Sequence, residues 1–265
     1  MSDAGAPPRD AAAVAPAVAP ADYLLRLADD RLVLGHRLSE WCGHAPILEE
    51  DIALANIALD LIGQATALLE LAGAREGRGR SADDLAYFRD ARDYRNLQLC
   101  ELPNGDFAVT IVRQFLFDAY DHALLQALQG SADAELAGIA AKAFKECRYH
   151  RRHSAEWVVK LGDGTAESHA RAQAALDELW RFTGEPFLAD EVDRALAAAG
   201  VAPDPASLRD DWLRQVTEVV EAATLRLPDD RAVARGGRQG LHTEHLGHML
   251  AEMQSVARAH PGAQW

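Results

Sequence analysis

Apolar side chains recur every three to four residues along most of the chain, and this spacing is its dominant sequence pattern. It begins near residue 22 and persists, with short interruptions, into the C-terminal region. Residues at that spacing fall on one face of an α-helix, whereas a half-buried strand would need strict alternation, of which we find no convincing case. The pattern therefore predicts an all-α protein.

The interruptions of this pattern predict where the helices begin and end. Four long helices are predicted, over about 22–41, 46–71, 107–129 and 132–161. Shorter ones are predicted after Ser81, around LDELWRF, on both sides of PDP and over about 242–258. Asp84, three residues after Ser81, is typical of a capped helix start. We therefore predict one domain over residues 22–265, built on a bundle of the four long helices, after a disordered Ala/Pro-rich tail over 1–21.

The second predicted helix is apolar around nearly its whole circumference. The exception is a sector about 100° wide, which holds Glu49, Asn56, Asp60 and Gln64. A helix that is apolar on nearly all sides is typical of the centre of a bundle. The polar sector would then face either the bundle interior or another protein.

Two later helices place a carboxylate and a histidine four residues apart on their predicted inward faces. The pairs are Asp118 with His122 and Glu146 with His150. A buried carboxylate is costly unless a cation, a hydrogen-bond donor or a metal compensates it. A histidine on the same face can be that partner. These residues are therefore candidates for a metal site or for a metal-free polar network.

The metal interpretation has a definite template. Di-iron carboxylate bundles take a Glu from each of two helices and a Glu-x-x-His pair from each of the other two. No Glu in this chain has a His three residues later; the acid-x-x-x-His pairs instead begin at Glu40, Asp118, Glu146 and Glu244. The longer spacing moves one ligand by about 100° around the helix. This difference favours a satisfied buried polar network over an occupied metal site.

The fourth long helix also carries a run of basic residues: Lys142, Lys145, Arg148 and Arg152. Such a run is most often a solvated face. The functional alternative is a docking site for an acidic partner or for the phosphates of a coenzyme. Arg235 and Arg238, in a glycine-rich loop, are a weaker candidate for anion binding, because the loop matches no phosphate-binding pattern.

Charge and composition narrow the classes of function. Lys and Arg number 27 against 41 Asp and Glu, a formal net charge of −14, which disfavours a nucleic-acid partner. The three cysteines form no CxxC pair, as is typical of a reducing cytoplasm. We find no apolar run that approaches the length of a membrane span, and the Ala/Pro-rich N-terminus lacks the basic start of a signal peptide. We therefore predict a soluble, cytoplasmic protein that does not contact a membrane.

Several long segments resemble one known family. They are LGHRLSEWCGHAPILEEDIALANIALDLIGQA, LPNGDFAVTIVRQFLFDAY, KECRYHRRHS, LWRFTGE and GLHTEHLGHMLAEMQ. These strings resemble the C subunits of bacterial ring-1,2-phenylacetyl-CoA epoxidases, and the resemblance covers about 22–265, including the closing QW. It implies a ferritin-like fold. It also implies membership of a multicomponent monooxygenase that converts phenylacetyl-CoA to its ring epoxide with O₂ and with electrons from NADPH through a separate reductase.

In that family the di-iron centre lies in the homologous catalytic A subunit, and the C subunit is a non-catalytic support. The resemblance therefore implies no catalytic residue and no cofactor in this chain. It implies as partners the catalytic subunit and the other components of the complex, and a bare partner surface predicts a homodimer when the chain is isolated.

Our hypothesis for the interior is a hydrogen-bonded, metal-free network at the former metal position. Its predicted members are Asn56, Asp60, Asp118, His122, Glu146 and His150. Two alternatives stay open at this point. One is a self-sufficient di-iron carboxylate oxygenase with an altered ligand set. The other is a stand-alone helical scaffold that holds coenzyme A through the basic run.

Overall fold

A computed structural model describes residues 18–229 and 233–263 of the chain. The described residues fold into helices without any strand, as predicted. In chain order the α-helices are α1 (Ala21–Ser39), α2 (Leu48–Glu76), α3 (Ala82–Tyr87), α4 (Gln98–Glu101), α5 (Phe107–Leu128), α6 (Ala134–Gly162), α7 (Ala166–Leu179), α8 (Glu191–Ala198), α9 (Arg209–Ala222), α10 (Glu244–Met253) and α11 (Ser255–Ala259). Short 3₁₀ turns connect several of them.

The four longest helices form two helical hairpins. Helix α1 packs along α2, and α5 packs along α6, in each case after a short loop. A long crossover, which contains α3 and α4, joins the two hairpins. Two hairpins joined by one long crossover are the topology of ferritin-like bundles. The predicted all-α, ferritin-like fold is therefore confirmed.

Polar side chains at the helix ends explain several boundaries. Ser81 and Asp84 form a reciprocal capping box at the start of α3, as their spacing suggested. Asp106 and Asp133 cap α5 and α6 by accepting backbone N–H groups. Helix α2 runs to Glu76, beyond the predicted end near residue 71, because the first residue with left-handed backbone is Gly77, at φ 68°.

The centre of the bundle is α5. Every residue from Thr110 to Asp121 is buried, because α6, α7 and α9 pack around this helix. The prediction that α2 occupies the centre is wrong. Its apolar circumference instead includes an outer face on which Leu48, Ile52 and Leu59 are 72%, 53% and 67% exposed. The apolar residues of α2 therefore belong partly to the core and partly to an exposed apolar surface.

Helix α2 also corrects the expectation about membrane spans. It contains an 18-residue window with mean hydropathy 1.7, so by length and composition it is the one helix among the described residues that could cross a membrane. The sequence analysis looked for an uninterrupted apolar run. The isolated polar residues of this window interrupt such a run, but they lower its mean hydropathy only slightly. Half of the window is buried inside the protein, where α2 packs against α1 and α6.

The N-terminal boundary of the packed domain lies slightly earlier than predicted. Most of the predicted tail, residues 1–17, lies outside the described residues. Ala19, however, is fully buried, and its N–H donates to Asp133 Oδ2 at 2.8 Å. Arg75 pairs with the same carboxylate. This contact fixes the chain immediately before α1 to the start of α6.

The glycine-rich loop before α10 is fixed to α1 by a buried ion pair. Arg238 donates to both carboxylate oxygens of Asp30, at 3.0 and 2.8 Å. It also donates to the carbonyl oxygens of Arg26 and Arg95. Because its guanidinium is already paired, Arg238 does not serve the anion-binding role suggested for it from the sequence.

Two further carboxylates of the body receive donors from the same C-terminal region. Glu185 Oε1 accepts the N–H groups of Gly236 and Gly237 at 2.9 and 2.8 Å. Glu101, which is fully buried, lies 2.7 Å from Nδ1 of His242. Burial by itself would lower the pKa of His242, but the hydrogen bond and the charge of Glu101 outweigh burial and raise it.

Candidate functional site

The residues predicted for the interior network belong to α2, α5 and α6, but they do not form one network. Asp60 and His150 do meet: His150 Nε2 lies 2.9 Å from Asp60 Oδ2, with His150 almost fully buried. Asn56 lies outside the interior, because its position falls on the exposed face of α2. His122 is half-buried and packs on Phe144, with ring centroids 4.9 Å apart.

Glu146 takes part in a chain of polar contacts that crosses all four long helices. Its Oε2 accepts from Gln64 Nε2 at 2.8 Å. Gln64 Oε1 in turn accepts from Arg31 Nε at 3.0 Å. Arg31 then forms a buried ion pair with Asp121. The centre of the bundle therefore holds a guanidinium, which neutralises an interior carboxylate directly.

Arg31 and Asp121 were not predicted from the sequence. Asp121 lies one helical step away from the predicted inward stripe of α5, and it is buried because α5 is enclosed on all sides. Arg31 was visible as the last of three consecutive charged residues, Asp29, Asp30 and Arg31, within an otherwise amphipathic helix. All three are buried, and such a run is a signal for buried ion pairs.

Asp118 has hydrogen-bond donors but no cation. Its Oδ1 accepts from Gln114 Nε2 at 2.7 Å, and its Oδ2 accepts from the hydroxyl of Ser154 at 2.8 Å. Burial raises the pKa of Asp118 well above its usual value, although both hydrogen bonds act in the opposite direction. His122, which was predicted to pair with Asp118, is not among its hydrogen-bond donors.

A further pair joins α2 to α6 near the other end of α2. His153 Nε2 lies 2.8 Å from Glu50 Oε2, and both side chains are largely buried. With the contacts of Asp60 and of Gln64, this gives three polar links between α2 and α6. Each interior carboxylate is thus matched to one or two donors on a neighbouring helix.

This donor set does not fit a di-iron centre. A metal ion needs several carboxylate or imidazole ligands that converge on one point. Among residues 18–229 and 233–263, no group of three or more His, Cys, Asp or Glu side chains is arranged to hold a metal. The interior carboxylates are instead divided among separate partners, and the cation facing Asp121 is a guanidinium.

The four basic residues are all exposed on α6, but they divide between two grooves. Lys142 lines a groove of about 760 Å³ between α2 and α6. Lys145, Arg148 and Arg152 line a groove of about 590 Å³ between α6 and α9. The run is therefore not a single binding surface.

The fold and the interior together define a class of protein: a ferritin-like bundle whose centre carries cross-helix carboxylate pairs and a buried guanidinium. Comparison with known proteins agrees with this class. The chain belongs to the phenylacetic acid catabolic protein family, whose model matches residues 1–265. It is 53% identical, over 243 residues, to the C subunit of 1,2-phenylacetyl-CoA epoxidase from Escherichia coli (strain K12). That alignment covers 92% of this chain and 98% of the relative.

Proposed function

We propose that this chain is a non-catalytic structural subunit of a multicomponent phenylacetyl-CoA 1,2-epoxidase. In this role it supports a homologous catalytic subunit that carries the di-iron centre, in aerobic phenylacetate degradation in the cytoplasm. The observation that carries the proposal is the buried Arg31 guanidinium paired with Asp121. It supports a bundle kept for its packing, since a cation in the interior opposes the binding of a metal ion nearby.

The outer face of α2 is the surface that we assign to the catalytic partner. Its exposed apolar residues, Leu48, Ile52 and Leu59, lie along one side of the helix beside the groove of about 760 Å³. A Cβ atom added at Gly63 or at Gly138, which line that groove, would meet nothing within 4 Å. The groove therefore has room for side chains of a helix from the homologous subunit.

The test is co-purification with the catalytic subunit of the same organism. Leu59→Glu should weaken the association at least about tenfold, because a charge in an apolar interface is left without a partner. Leu241→Glu is the matched control, since Leu241 is 61% exposed but lies beside α4, where Gln98 Nε2 donates to its carbonyl oxygen at 2.8 Å. Loss of association in both variants, or in neither, would contradict the assigned surface.

We propose that the same face of α2 forms the interface of a homodimer when the chain is isolated. Sedimentation of the isolated chain should show a dimer that Leu59→Glu converts to a monomer and that Leu241→Glu leaves intact.

Iron analysis after anaerobic loading with ferrous ion distinguishes the non-catalytic structural role from that of a self-sufficient oxygenase. Substoichiometric iron is expected. Two iron atoms per chain would overturn the non-catalytic role.

A further inference from the structure

The exposed apolar face of α2 continues into a groove whose charged residues are mostly acidic. Leu59, which follows Leu48 and Ile52 along the exposed face, also lines the groove of about 760 Å³ between α2 and α6. The charged residues that line this groove are Asp60, Glu70, Glu135, Glu146 and Lys142. Glu135 pairs with Arg75 at 3.1 Å. The surface that we assign to the catalytic partner is therefore apolar at one end and acidic at the other.

Two of these carboxylates each use one oxygen to bind the neighbouring helix and leave the other unpaired. Oδ2 of Asp60 contacts His150, and Oε2 of Glu146 accepts from Gln64. Within the part of the chain that the structure describes, Oδ1 of Asp60 and Oε1 of Glu146 have no hydrogen-bond donor. Asp60 and Gln64 are one helical turn apart on α2, as are Glu146 and His150 on α6, so the two carboxylates are offset by about 5 Å along the groove. This spacing suits a cation placed between them.

A partner that covered this groove with apolar side chains alone would remove water from the carboxylates. A carboxylate that loses water without gaining a cation or a donor costs free energy. Lys142 offsets only part of this cost, because its helical spacing brings it near Glu146 and not near α2. Among residues 18–229 and 233–263, Glu70 has no ion-pair partner, and Asp60 has only the contact with His150. The partner must therefore bring positive charge to this end of the groove.

We propose that the groove binds a helix of the catalytic subunit that is apolar at one end and carries Lys or Arg at the other. Asp60, Glu70 and Glu146 then make the surface selective for this helix over a second copy of the chain. The inference rests on the proposed function, because it takes the catalytic subunit as the occupant. The apolar end of the helix packs on Leu59, and its basic side chains meet the three carboxylates.

A second copy of the chain does not supply the complementary charge. In a symmetric dimer both copies present the same surface, and the residues that line the groove include four carboxylates against one basic residue, Lys142. The carboxylates of one copy would therefore meet carboxylates or leucines of the other, and both arrangements oppose association. The homodimer of the isolated chain should accordingly be weaker than the complex with the catalytic subunit, a selectivity that comes from mismatched charge.

The test replaces the three carboxylates by amides of similar shape, in the full chain with Asp60→Asn, Glu70→Gln and Glu146→Gln. Association with the catalytic subunit of the same organism, measured by surface binding, should weaken at least about tenfold. The homodimer, measured by sedimentation of the isolated variant, should instead tighten at least about threefold, because its carboxylates no longer oppose one another. The matched control makes the same change in net charge at three exposed acids outside this groove: Glu156→Gln, Glu178→Gln and Glu191→Gln. It should leave both associations unchanged.

The opposite signs of the two shifts make the proposal falsifiable. Unchanged or tighter binding of the catalytic subunit by the amide variant would overturn it, as would a homodimer no tighter than that of the wild type, or the same shifts in the control. If circular dichroism shows that the triple variant does not fold, Glu70→Gln with Glu146→Gln takes its place, with the same signs expected. Leu59→Glu separates this inference from the assigned surface. If that variant loses the catalytic subunit and the amide variant does not, only the charge selectivity fails; if it has no effect, the surface itself is wrong.

Discussion

Arg31 of α1 and Asp121 of α5 form an ion pair whose side chains are 1% and 3% exposed. The pair joins the first helical hairpin to the second at the centre of the bundle. Gln64 extends the contact from Arg31 to Glu146. One buried guanidinium therefore organises side chains from all four long helices, and its removal should affect the whole fold.

Replacing Arg31 alone should be strongly destabilising. Arg31→Met leaves Asp121 buried without its cation, and breaking a buried pair in this way typically costs about 3–5 kcal/mol. Replacing both partners, as Arg31→Met with Asp121→Leu, should recover most of that loss, since no charge is then left unpaired. Urea unfolding followed by circular dichroism measures both variants. Arg171→Met, at an exposed pair, is the control and should change stability by less than about 0.5 kcal/mol. A double variant no more stable than the single one would contradict the role given to the pair.

Asp118→Asn should stabilise the protein at neutral pH by about 1–3 kcal/mol. Burial raises the pKa of Asp118 in the folded state, so folding favours its protonated form. The wild-type protein therefore loses stability as pH rises from the unfolded-state pKa towards the folded-state pKa. The neutral amide does not titrate, so the advantage of the variant should be small near pH 4 and should grow with pH. Unfolding free energies of both proteins, measured across this pH range, test the prediction. A stability advantage of the variant that shrinks as pH rises would contradict it.

His242→Gln should show a different pH dependence. The pKa of His242 is raised in the folded state, through Glu101, from a usual value of 6.5. The charged imidazolium therefore contributes stability that is fully present below about pH 6.5 and is lost as pH rises through the folded-state pKa. The difference in unfolding free energy between wild type and variant should accordingly be largest in acid and should narrow above neutrality. Thermal denaturation at a series of pH values measures it, and a constant difference would rule out the ion pair as its source.

Two glycines should respond in opposite directions to alanine. At Gly237 a new Cβ would lie 2.1 Å from the backbone oxygen of Asn96, so the loop must shift, at a cost of about 1–3 kcal/mol. At Gly138, inside α6, a Cβ meets nothing within 4 Å, and alanine should add about 0.5–1 kcal/mol through its helix preference. Chemical denaturation of the isolated chain compares them. Equal changes in unfolding free energy would mean that the close approach of the Asn96 carbonyl oxygen to Gly237 does not destabilise the alanine variant.

The helices could be predicted from sequence because their signals are local. The spacing of apolar residues found each long helix, and Ser81 with Asp84 marked a start that the structure contains. Boundaries were predicted less accurately where a helix continues into a glycine-rich segment. The end of α2 was placed near residue 71, five residues early, because the segment GAREGRGR that follows was interpreted as a loop, whereas its first glycine, Gly73, is helical and the left-handed backbone begins at Gly77.

The partners inside the bundle could not be predicted in the same way. From helical periodicity we correctly predicted that Asp118 and His150 face the interior. The same pattern suggested that each acid pairs with a histidine on its own helix. The structure pairs His150 with Asp60 on another helix, and Asp118 with Ser154. Such choices depend on how helices rotate and shift against one another, which a pattern within one helix does not record.

The C-terminal region has a consequence for the order in which this protein can fold during synthesis. Asp30 and Glu185 are buried carboxylates, and each receives donors from the loop at residues 236–238. Until that loop leaves the ribosome, each carboxylate has only one of these donors, the N–H of Leu97 for Asp30 and the N–H of Gln98 for Glu185, and the cation that pairs with Asp30 does not yet exist. The last tenth of the chain therefore completes the neutralisation of a buried carboxylate on the first helix. A truncated chain should be a good substrate for chaperones and proteases, even though its missing part contains none of the four bundle helices.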